Sequence, residues 1–315
     1  MTIPTIIASA MEQYEQVKAQ QLQTDVELIN TITGQLSRQK GKQLRPILTL
    51  LSAGASMGHV PERKIPLAVA MELLHTSSLI HDDVVDESTM RRGIPTINSS
   101  YSNKIAVLYG DYCLANVIRL LNRHATPEEM DVVNQTTVEM TEGVMLQQQS
   151  NNRQDLSLET YLSTIHKKTA SLISACCQIG QWSAEHSDTH LSLFGHHFGM
   201  AFQMRDDLLD YSPMAATGKP YGNDIREHKM TLPLILFLSK ATEGDKAFTQ
   251  ELLRKEVIDD MEVMQLIAAM EKQGALEATR EHIRHEVEQA LAALTPLPAS
   301  PYKEALVQVT NEISY

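Results

Sequence analysis

Two short stretches, HDDVVDE at 81–87 and RDDLLDY at 205–211, carry aspartates at the same spacing inside runs whose apolar residues recur at helical intervals. A helix advances about 100° per residue, so Asp82 and Asp86 lie within roughly 40° of one face with Asp83 beside them. Asp206, Asp207 and Asp210 repeat that pattern. Like charges this close repel, so each face must be open to water or neutralised by cations. Two such faces opposed across a helical bundle would make a site for several metal ions, and long stretches rich in Leu, Ala, Met, Glu and Gln favour nearly all-α structure.

Arg91 and Arg92 follow the first aspartates directly. A rigid file of carboxylate oxygens suits Mg²⁺ when phosphates supply further ligands, and guanidinium forks suit phosphate oxygens. Together they point to a diphosphate held between metal and arginine. A second basic cluster lies at 38–45, in a chain whose net charge is otherwise -12. That balance argues against nucleic acid as a partner, because no broad basic excess exists to displace counterions. The cysteines, Cys113, Cys176 and Cys177, form neither a metal-ligand spacing nor a disulfide framework, which fits the reducing cytoplasm. The first residues, MTIPTIIASAMEQYEQ, show no secretory pattern, and the apolar run at 232–238 is too short to span a bilayer.

Apolar spacing predicts two helices within 5–34, then helices over 47–56, 65–86, 104–123, 128–150, 161–182 and 191–211, with several shorter ones after 231. Gly41 precedes a helix restart around Pro46, residues 87–103 read as a loop around Gly93 and Pro95, and 212–230 reads as a longer, functional loop. Tyr161 and Trp182 read as core aromatics, and Lys167 as an ordinary exposed lysine. No repeat or linker divides the chain, so residues 1–315 are expected to form one nearly all-α domain.

GKQLRP at 41–46, LLHTSSLIHDDVVDESTMRRG at 73–93, GDY at 110–112, KTA at 168–170, FQMRDDLLDY at 202–211 and GKPYGNDIREHKMTLPLI at 218–235 closely resemble the trans-isoprenyl diphosphate synthase family, the head-to-tail prenyltransferases. One DDxxD is weakly specific; two in order with GKxLRP, paired arginines and downstream lysines are very specific. The resemblance implies an isoprenoid-synthase helical bundle around a deep central cavity, working as a homodimer with three Mg²⁺ ions once substrate is bound. It implies Asp82, Asp86 and Asp206 as metal ligands, with Asp83, Asp207 and Asp210 acting through water or by orienting basic residues. Arg91, Lys168, Lys219 and Lys229 match contacts to an allylic diphosphate, and Lys42, Arg45, His75 and Arg92 match the isopentenyl diphosphate pocket. Thr169 and Gln203 match positions that present oxygens toward a carbocation. The long loop with Lys219 and Lys229 is expected to close over the site and exclude water.

The same resemblance bears on product length. Short-chain relatives carry bulky aromatics just before the first aspartate motif, where this chain has Ser77 and Ser78. Five residues of helix place Ser77 about 7.5 Å below the metal site, leaving the tunnel open. The expected product is a medium- or long-chain all-trans polyprenyl diphosphate of the type used for quinone side chains, released with transient membrane contact. The alternatives are a short-chain (farnesyl or geranylgeranyl) synthase, a subunit of a heteromeric synthase, and a terpene cyclase. The complete second DDxxD and GKQLRP weigh against the cyclase. The sequence finishes TNEISY, without the basic residues that many relatives use to cover the isopentenyl diphosphate pocket.

Overall fold

The computed structural model describes residues 3–38, 41–91, 93–150, 157–181, 189–212 and 222–313. They are almost entirely helical, as the periodicity predicts: Lys64–Val85, Asn103–His124, Pro127–Ser150 and His190–Asp210 each begin and end within a residue of the expected bounds. Several starts are written in the sequence. Ser102, Ser157 and Thr242 accept a backbone N–H from the first turn of their helices, and Asp259 with Glu262 forms a full capping box. Trp182 and the segment 213–221 lie outside the described residues. No helix among the described residues is long and apolar enough to cross a bilayer.

The chain forms two compact units, each assembled from three segments. The first comprises residues 1–137, 172–195 and 293–309, and contains the Lys64–Val85 helix at its centre. Ile80 of that helix joins Ile32, Ile97, Ala106, Tyr109 and Cys113 in one apolar cluster. The neighbouring Asn103–His124 helix approaches closely at Gly110, where an added Cβ would stand 2.3 Å from His81 Nε2, so a larger residue there would displace the His81 ring. At the N-terminal end, fully buried Lys64 donates to Glu129 Oε1 at 2.6 Å and to the Ile179 carbonyl, while Arg63 takes Glu129 Oε2 at 2.9 Å. Two cations thus share one buried carboxylate. The three cysteines are buried free thiols.

The second unit comprises residues 138–171, 196–292 and 310–315. Buried Ile225, Val263, Leu266, Ile267, Met270 and Ile283 contribute to its core. Gly222 enters with φ +68 and an added Cβ would meet Val263 Cγ1 at 2.3 Å, so no larger residue fits there. The expected continuous helix over 161–182 is interrupted: Leu158–Ile165 and Ser171–Gln181 are joined by a π-helical turn, His166–Ala170. Gly143 makes room for it, since an added Cβ would lie 2.7 Å from the Lys168 backbone nitrogen.

Candidate active site

In the first unit the aspartate helix ends inside its own motif. Asp86 is the C-cap, its N–H donating to the Asp82 carbonyl at 2.8 Å, and Glu87 takes a left-handed φ of 50° that reverses the chain. Residues 87–103, expected as a plain loop, hold a two-strand hairpin, Met90–Arg91 with Ile94–Pro95, turning at Gly93. The reversal returns Arg91 to the motif. Its Nε and Nη2 both stand 2.8 Å from Asp83 Oδ1. Asn98 Nδ2 reaches the Asp83 and Ser88 carbonyls at 3.2 and 3.0 Å, and Thr96 Oγ1 donates to the Ser88 carbonyl at 2.7 Å. Asp83 is buried at 6% exposure, whereas Asp82 is half-buried and Asp86 exposed.

His75, half-buried, lies on the same helix; Lys42, exposed, and Arg45, half-buried, stand at the start of Leu44–Met57 in the same unit. Ser77 is 2% exposed and donates to the Gly110 carbonyl at 2.9 Å, so its hydroxyl is committed to the neighbouring helix. Ser78 is half-buried and bonds back to the His75 carbonyl at 2.9 Å. Arg92 and Lys219 lie outside the described residues.

In the second unit the same division recurs. Asp206 is exposed, while Asp207 is buried and accepts the Tyr161 hydroxyl at 2.7 Å and Gln203 Nε2 at 2.8 Å. Burial nevertheless pushes the Asp207 carboxyl up to about 6, opposed by those two donors. Gln203 Oε1 in turn accepts Thr169 Oγ1 at 2.8 Å, and Lys168 Nζ donates to Gln147 Oε1 at 2.8 Å, both from the π-turn. Single π-turns inserted in α-helices frequently mark functional positions, because the extra residue re-aims side chains. Lys167, on the same turn, pairs with Glu142 as an ordinary surface lysine would.

Asp210 anchors the residues after the long loop: its Oδ2 accepts the Asp224 N–H at 2.7 Å and its carbonyl the Gly222 N–H at 2.8 Å. Lys229 N–H donates to the Asp224 carbonyl at 2.8 Å, and its ammonium pairs with Glu227. Burial, then the charges of Asp210 and Asp207, hold the Asp224 carboxyl well above the usual carboxylate range. Nothing in the sequence reading singled out Tyr161 or Asp224 as site residues; burial marked Tyr161 as core, and only the coordinates show its hydroxyl on Asp207.

Hard oxygen donors on one helix face, with neighbouring carboxylates that repel one another, are what a divalent cation satisfies. Among the described residues no three carboxylate, imidazole or thiolate groups form a closed metal cage. Mg²⁺ takes one or two carboxylates and draws its remaining ligands from water and substrate phosphates. Asp82, Asp86 and Asp206 therefore fit as ligands, and Asp83, Asp207 and Asp210 are engaged in holding Arg91, Gln203 and the Asp224 backbone.

Comparison with known proteins shows the family. The polyprenyl synthetase family model matches residues 26–270. An all-trans-nonaprenyl-diphosphate synthase (geranyl-diphosphate specific) of Rhodobacter capsulatus is 36% identical over 92% of this chain and 90% of its own length. Heptaprenyl diphosphate synthase component 2 of Geobacillus stearothermophilus is 37% identical over 82% of this chain and 80% of its own. The crystal structure of a decaprenyl diphosphate synthase from Rhodobacter capsulatus superposes with a TM-score of 0.93 at 33% identity, covering 99% of this chain and 97% of that one.

Proposed function

The chain belongs to the polyprenyl synthetase family, and from that premise we propose that it condenses isopentenyl diphosphate with an allylic diphosphate, in a Mg²⁺-dependent reaction, to make a medium- or long-chain all-trans polyprenyl diphosphate. The observation that carries the reading is the repeated division within each aspartate pair: the first carboxylate more exposed, the next buried and hydrogen-bonded.

Asp82, Asp86 and Asp206 would hold Mg²⁺, which when bound supplies Lewis-acid stabilisation to the diphosphate leaving group. Arg91, Lys168, Lys219 and Lys229 bind the allylic diphosphate, and their charge-assisted hydrogen bonds strengthen as negative charge grows on it during C–O cleavage. Thr169 donates its proton to Gln203, which leaves the threonine oxygen's lone pairs available to the allylic cation. Lys42, Arg45, His75 and Arg92 hold isopentenyl diphosphate, whose double bond attacks that cation. The departing diphosphate then accepts the proton whose loss restores the alkene, so no His/Asp base is required.

The domain is proposed to be single, since the family match runs through segments of both units. The homodimeric state, cytoplasmic location and transient membrane contact for release of an apolar product belong to the same proposal. The Geobacillus relative is component 2 of a heptaprenyl diphosphate synthase, which favours one second reading, the catalytic subunit of a heteromer. Diphosphate release from a primer and isopentenyl diphosphate tests the proposal: chelation with EDTA should abolish release and added Mg²⁺ restore it. Release unaffected by chelation would refute the metal assignment, and release appearing only with a second protein would establish the heteromer.

A further inference from the structure

The π-turn is clamped at two points to the His190–Asp210 helix. One is the Thr169–Gln203 bond already described. The other is an imidazole pair: His166, the first residue of the turn, stands with its Nδ1 3.1 Å from His196 Nδ1, the rings edge-on with centroids 4.9 Å apart. His196 and Gln203 are two helical turns apart and face the same partner, so the two bonds bracket Lys168. Behind His196 lies His197, ring centroids 4.9 Å away, whose Nδ1 is 2.7 Å from Glu286 Oε2 on the Ala275–Ala293 helix. The ionisable groups facing His196 are therefore His166 on the turn, His197 on its own helix and Glu286 on the third element.

An Nδ1-to-Nδ1 contact constrains protonation. One ring must offer N–H and the other a lone pair, and the contact fails when both carry a proton there. Burial, then His166 and His197, hold His196 below the ordinary histidine range. The contact holds while at least one ring keeps a lone pair at Nδ1 and gives way only when acid protonates both.

We propose that His166 and His196 are positioning residues for the π-turn, and that protonation of the pair releases one end of the turn and weakens the hold of Lys168 on the allylic diphosphate. The inference rests on the assignment of Lys168 above. It predicts a pH dependence of allylic substrate binding beyond that of the substrate's own diphosphate.

The experiment compares the native protein with His196→Asn, which keeps a hydrogen-bonding side chain and cannot titrate. At saturating Mg²⁺ and isopentenyl diphosphate, the KM for the allylic diphosphate is measured at pH 7.5 and 5.0. The native KM should rise by about five-fold more than that of the variant, the size of one hydrogen bond's net contribution, with kcat changing less. Equal pH dependence in the two proteins overturns the proposal. Histidine NMR of the unliganded protein supplies a readout independent of activity: His166 and His196 should titrate as one coupled pair, and His166→Gln should move the His196 titration upward. Independent titration of the two rings overturns the clamp even where the enzyme is active. Coupled titration with no condensation activity at any pH refutes the enzyme reading instead.

Discussion

Arg91 directs two nitrogens, Nε and Nη2, at the same oxygen of Asp83, each at 2.8 Å. The buried aspartate of the first motif is therefore committed to an arginine, whereas Asp82 is half-buried and Asp86 exposed. Asp83→Asn should chiefly misplace Arg91, raising the allylic KM about 10-fold, as loss of an orienting partner usually does. Asp82→Ala should lower kcat by about 10²- to 10³-fold, because it removes a group that stabilises the transition state. Steady-state kinetics of both variants separate the roles; a kcat loss in Asp83→Asn equal to that of Asp82→Ala would place both as ligands.

Tyr161→Phe should destabilise the metal-free protein in a pH-dependent way. The Asp207 carboxyl is raised from 3.8 to about 6, so its ionisation costs native stability as pH rises through that window. Below it the acid is neutral and tolerates loss of one donor. Above it, the variant leaves a buried carboxylate with one fewer hydrogen bond, costing about 1–3 kcal/mol. Urea unfolding in EDTA at pH 5 and pH 7.5 should show the larger deficit at pH 7.5.

The Lys64–Glu129 pair, both side chains wholly buried, predicts strong non-additivity. Lys64→Met leaves Glu129 with Arg63 and the Thr126 N–H, without its buried cation, and should cost about 3–5 kcal/mol. Adding Glu129→Leu should recover part of that loss, since two apolar side chains need no pairing. Chemical denaturation of the two singles and the double gives the coupling energy directly.

Ser77 and Ser78 part company as tests of product length. With Ser77 at 2% exposure and bonded to Gly110, Ser77→Phe overfills the contact with the Asn103–His124 helix and should lower stability by about 1–3 kcal/mol. Ser78, half-buried and bonded only within its own helix, is the cleaner probe. Ser78→Phe should shorten the product at little cost in melting temperature. Unchanged product length in an active, stable variant would remove Ser78 from the tunnel wall.

Many of the helices were legible from apolar residues at helical spacing, as in His190–Asp210, where Leu191, Phe194, Phe198, Ala201, Met204 and Leu208 are buried. The π-turn was not. One inserted residue shifts the stripe by about 100°, and HKKTA has no apolar side chain before Ala170 to register the shift. The hairpin at Met90–Arg91 was hidden for another reason: strands of two residues are too short to alternate, and only Gly93 marked the turn. In the site, residue types and spacing named the aspartates and basic residues. They carried no sign of Tyr161 on Asp207 or of the His166–His196 contact, because hydrogen bonds between distant segments have no period.

The most direct test is chain-length analysis of the products formed by the purified protein with Mg²⁺, labelled isopentenyl diphosphate and allylic primers of several lengths. The account predicts stepwise elongation to an all-trans polyprenyl diphosphate of medium or long chain. Arrest at a farnesyl or geranylgeranyl product would contradict the open-tunnel reading at Ser77 and Ser78, and absence of elongation with every primer would contradict the proposal that this chain acts alone as a prenyltransferase.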